Sequence, residues 1–140
     1  MSSATLQNLI YALIQVVHNF GAVVVIGISV YGIGWLRREL PVQRRVAMWL
    51  AVAWAVQAAG GAAFGATSFY FYGHLPDIHG VAVNALSVKI GCASGGFLIA
   101  ALYHQLSPRG WFRNSMVVWV GSLVLGCTAL AAAAFLRWFS

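Results

Sequence analysis

Lys89 is the only lysine of the chain and falls inside an otherwise apolar run from Gly80 to His104. A charged side chain within a membrane-spanning helix costs roughly 2.5–3.5 kcal/mol on insertion scales, so such residues face a bundle interior, a wet cavity or a partner. Four histidines, His18, His74, His79 and His104, and two cysteines, Cys92 and Cys127, are the other groups able to hold a metal or move a proton. Imidazole suits copper or iron, while thiolate and thioether suit Cu(I). Glu39 and Asp77 are the only acidic side chains, which removes paired-carboxylate acid–base catalysis. No nucleophilic triad, phosphate-binding loop, HExxH or CxxC occurs, so hydrolase, nucleotide-dependent and zinc-enzyme chemistries have no support.

The elements that must position these groups are legible from composition. In 140 residues, 61% are hydrophobic and 7% charged, with a mean hydropathy of +0.84, which leaves too little polar surface to coat a water-soluble domain. The apolar runs each reach the ~20 residues that a bilayer core requires. They predict an all-α, four-helix transmembrane bundle in a single domain, with helices over about 6–37, 44–72, 80–105 and 114–138. Pro41 is expected to break the chain between the first two. The net charge of +6 does not point to nucleic acid, because the basic residues lie at helix ends rather than among aromatics on a soluble face. The N-terminus lacks the basic region and cleavage site of a removable signal, and two helix-embedded cysteines do not form a disulfide framework.

Arg37, Arg38, Arg44 and Arg45 flank the first connection, and Arg109 and Arg113 lie in the third. The positive-inside bias puts both connections in the cytoplasm and both termini outside, on the periplasmic side if the membrane is a bacterial inner membrane. About 20 residues counted outward from Trp35 put the outer boundary of the first helix near Val16, with His18 just below it. The same count from His104 puts the third helix's boundary near Asn84 and Lys89 about a turn deep. His18 and Lys89 therefore share a layer, and the loop carrying His74, Asp77 and His79 lies on the same side. Asp77 is the nearest expected counter-ion for Lys89.

Each of these residues also has a plainer reading. Lys89 could snorkel to the headgroups, His18 could be an interhelical hydrogen-bonding residue beside Gln15 and Asn19, and the loop histidines could be solvated. Cys92 and Cys127 at middle depth, with Met48 and Met116 near the inner ends, sketch a sparse soft-metal relay, although buried cysteine and methionine are also ordinary packing residues. Gln57 reads as interhelical polar glue, and Gly61/Gly65 and Gly91/Gly95 as packing seams with GxxxG spacing.

The stretch Leu86-Ser87-Val88-Lys89-Ile90-Gly91, running down to Tyr103-His104 and Pro108-Arg109, resembles the lysine-bearing helix of the copper-resistance CopD family. His18-Asn19-Phe20-Gly21-Ala22 looks like that family's histidine-bearing helix. The same histidine-then-lysine arrangement is similar to HemJ-type protoporphyrinogen oxidases, but Gly32-Ile33-Gly34-Trp35 stands where those proteins tend to carry a Pro-Arg pair. The CopD resemblance implies copper capture at His18, His74 and His79, beside Lys89 and Asp77, with transfer inward. The alternative is a b-type haem protein with two histidines as axial ligands and Lys89 near a propionate, passing electrons to a periplasmic or quinone partner. A third expectation is an accessory subunit that packs by its glycine seams in a larger complex or homo-oligomer.

Overall fold

The computed structural model describes residues 2–36, 39–111 and 114–139. The chain forms four helices, α1 (Ser3–Gly34), α2 (Leu40–Tyr72), α3 (Val81–Leu106) and α4 (Met116–Phe139), with a 3-10 turn at Ser107–Arg109. Each of the four is long and apolar enough to cross a membrane. Ser2 caps α1 by accepting the Thr5 amide, which starts the helix earlier than hydropathy alone indicates. Pro41 does not separate α1 from α2 but sits in the first turn of α2, where its missing N–H would have no intrahelical partner in any case. The helix thus begins at Leu40 rather than near residue 44. Gly73 and Gly110 follow α2 and the 3-10 turn with φ of 75° and 76°, a conformation only glycine adopts without strain. Of the arginines behind the topology argument, Arg37, Arg38 and Arg113 lie outside the described residues; Arg44, Arg45 and Arg109 share one end of the bundle.

α1 and α3 each pack against α2 and α4 and lie diagonally opposite one another. The inward face of α3 runs through Ala82, Ala85, Lys89, Cys92, Gly96, Ala100 and Tyr103, the three-and-four spacing of a bundle core. The facing stripe of α1 passes through Tyr11, Ile14, His18, Gly21, Val25 and Gly32. His18 and Lys89 therefore occupy positions where this architecture ordinarily places an apolar side chain.

The two halves of the core differ in the size of their side chains. At the arginine end, Trp54, Trp119, Tyr103, Leu50, Val25 and Val118 are fully buried. Trp54 stacks where a Cβ on Gly96 would be, Trp119 does the same at Gly32, and Trp54 Nε1 donates to Ser122 Oγ at 2.8 Å. Toward the far end the buried residues are small: Gly60, Thr67, Ser68, Ala82, Ala85, Cys92 and Ala132. Aromatic rings fill the core of one half, while the fully buried positions of the half that contains His18 and Lys89 are small, with half-buried Tyr11 and Phe64 beside them.

Candidate functional site

His18, Gln57 and Lys89 each lie about 25 Å along their helix from the arginine end, at about 1.5 Å per residue. The structure brings them together at one level. Gln57 Nε2 donates to the His18 carbonyl oxygen at 2.7 Å and occupies the space that a Cβ on Gly21 would take. A Cβ on Gly60 would lie 2.8 Å from His18 Nδ1, so the imidazole uses the room that glycine leaves on α2. The Phe64 ring meets the imidazole edge-on at 6.0 Å and stacks with Tyr11 at 6.1 Å. These contacts from α2 hold the ring in place. His18 Nδ1 is buried and has no hydrogen-bond partner among the described residues.

Lys89 approaches from the diagonal helix. Its ammonium lies within Coulombic range of the His18 ring, is half-buried, and makes no hydrogen bond or ion pair among the described residues. Glu39 precedes α2, about 25 Å away along the bundle axis. Asp77, the expected counter-ion, is instead paired with His79, 3.4 Å from its Nε2, both side chains being 82% exposed. The short reach between residues 77 and 79 favours that pair. Asp77 is thus held by His79 and Glu39 lies at the other end of the bundle, which leaves an ammonium at the level of the His18 imidazole with no carboxylate partner among the described residues.

The loop histidines do not converge on this layer. His74 is exposed, its Nδ1 lies 2.9 Å from the Leu75 carbonyl oxygen, and its ring leans on Tyr72. The soft-ligand residues are also dispersed. Cys92 is buried one turn beyond Lys89 on the same stripe, Cys127 is exposed on α4, Met48 lines a groove between α2 and α3, and Met116 is exposed at the start of α4. Among the described residues no group of three His, Cys, Asp or Glu side chains could hold a metal ion. His104 has a structural task. Residue 108 is proline and offers no amide to the His104 carbonyl, so Arg44 Nε donates to that oxygen at 3.0 Å, while His104 Nδ1 lies 2.9 Å from the Arg44 carbonyl.

The glycine seams are offset from the expected ones. A Cβ on Gly61 or Gly91 would meet nothing within 4 Å, and Gly65 and Gly95 have only ordinary contacts at 3.7 and 3.6 Å. Close helix approach instead occurs at Gly21, Gly32, Gly60, Gly96 and Gly126. Sequence reading passed over Gly60 and Phe64 as parts of the site. The signal that would have found them is the inward stripe Gln43, Ala47, Leu50, Trp54, Gln57, Gly60 and Phe64 on α2, which has the same three-and-four spacing as α3.

Comparisons with known protein families, with characterised proteins and with solved structures found no match.

Proposed function

We propose that this chain is an integral membrane protein, with both termini on the outer face, that holds haem b in the outer half of its bundle and passes electrons. The observation that carries this reading is the half-buried Lys89 at the level of His18, with Asp77 paired to His79 and Glu39 at the other end of the bundle. An unpaired ammonium at membrane depth calls for an anionic partner from outside the chain. A free divalent or cuprous ion beside that ammonium would be repelled, whereas a group bearing carboxylates would be attracted.

Two features of the residues favour haem b. His18 presents an imidazole at the level of Lys89, and the Lys89 ammonium suits a propionate. His18 would supply an imidazole nitrogen to the haem iron, and Gln57, by holding the His18 backbone, would steady the helix turn that carries the ring. When bound, haem supplies one-electron chemistry at a potential set by its axial ligand and surroundings. The chain's own contributions are one imidazole, one counter-charge and exclusion of water by the membrane. His74 and His79, expected as further ligands, are left to the loop.

Copper handling of the CopD kind is the second reading. Its support is Cys92, a buried thiol on the same stripe as Lys89 and one turn beyond it. A bacterial inner membrane is the setting both readings imply. An absorption spectrum with metal analysis of protein purified in mild detergent separates them. We expect a Soret band at about one haem per chain that disappears in His18→Ala. Stoichiometric copper without a Soret band would replace the haem reading by the copper one, and neither in a folded protein would overturn both.

A further inference from the structure

The groove of about 450 Å³ between α2 and α3 is apolar along its length and polar at one end. Its floor is Ala51, Ala55 and Ala59, Phe97 flanks it, and it closes on His104 and Gln105. From Met48 to Ala59 it runs about 16 Å along α2, close to half of a ~30 Å hydrocarbon core and so the depth of one leaflet. Its polar end is the arginine end. Arg44 is tied there by its Nε to the His104 carbonyl, and its remaining guanidinium N–H groups make no other bond among the described residues. Arg45 and Arg109 belong to the same end, where Glu39 is the sole acidic side chain.

We infer that this groove is a binding site for an anionic phospholipid of the leaflet at the arginine end, with one acyl chain along the alanine floor and the phosphate at Arg44 and Gln105. Three observations choose this occupant. The groove has the length of one leaflet, its apolar floor ends at hydrogen-bonding side chains at headgroup level, and the charge at that end is basic. Basic pockets between transmembrane helices on this side of a membrane are fitted to anionic headgroups. The reciprocal bonds between Arg44 and His104 fix the guanidinium to α3, so the donors are placed before the lipid arrives. This site is independent of the haem reading, because its headgroup end is the arginine end and it lies on the outer surface of the bundle between α2 and α3, lined by neither His18 nor Lys89.

Native mass spectrometry of the full chain, purified in detergent and exposed to equal phosphatidylglycerol and phosphatidylcholine, tests the inference. We expect one phosphatidylglycerol retained per chain, about tenfold over phosphatidylcholine. Ala55→Phe and, separately, Ala59→Phe fill the groove from exposed positions and should each reduce that retention about tenfold while helical content and thermal midpoint hold. Arg44→Gln should bring the two lipids to equal retention. Equal retention by the wild type, or unchanged retention in both phenylalanine variants, would overturn the site. A transmembrane polypeptide or a quinone bound in place of phospholipid, and lost in those variants, would overturn it as well.

Discussion

Lys89 and Asp77 show how far residue type and depth carry an argument. The shared layer of His18 and Lys89 follows from counting helix residues inward from each loop, because helix rise is constant and both helices run in the same direction. The partner of Asp77 did not follow from counting. From its loop the carboxylate can reach a histidine two residues along more readily than a lysine about two turns down α3, and the nearer, solvated histidine holds it. Lys89 consequently has only a cost to folding unless a ligand answers it. Lys89→Met should therefore leave stability unchanged or raise the thermal midpoint by a few degrees, as replacing a buried charge by an apolar isostere commonly does. The same variant should lose most of the bound haem. A fall in midpoint of the ligand-free protein, read by circular dichroism, would show that Lys89 serves the fold instead.

Among the elements, α2 contributes most to the site, through Gln57, Gly60 and Phe64, and its contribution was only partly legible. The GxxxG spacing at Gly61 and Gly65 marked a face, but one residue is about 100° of rotation on a helix, and the close contact with α1 falls at Gly60. Spacing alone left the phase open, and in the structure it is Gln57, three positions before Gly60, that shares the inward stripe. Paired substitutions follow. Gly96→Ala places a methyl inside the Trp54 ring and should destabilise by about 1–3 kcal/mol, whereas Gly91→Ala, facing open space, should be neutral or stabilise by up to about 1 kcal/mol. Thermal unfolding of the two variants side by side checks this, and equal effects would contradict the placement of the α2–α3 seam. Trp54→Phe strips Ser122 Oγ of its buried partner, and the same assay should show a loss of about 1–3 kcal/mol.

The whole molecule is a bundle of four helices long enough to cross a membrane, and that much was plain in composition, since runs of ~20 apolar residues have few other folded uses. Pro41 misled the boundary of α2 because proline stops a helix in its interior but starts one at its first turn. Which end faces which compartment rests on the arginines at one end. In a Cys92→Ala/Cys127→Ala background, Leu75→Cys should react with an impermeant thiol reagent added outside intact cells, and Trp111→Cys should react only after the cells are opened. The reverse pattern would invert the topology and place His18 and Lys89 in the inner half of the bilayer. The central claim, that His18 and Lys89 jointly hold an anionic redox group, is tested most directly by the reduced-minus-oxidised absorption spectrum of wild type beside Lys89→Met and His18→Ala at equal protein. The account predicts a b-type haem signal in the wild type, strongly reduced in Lys89→Met and missing from His18→Ala. A haem signal unchanged in both variants would contradict it.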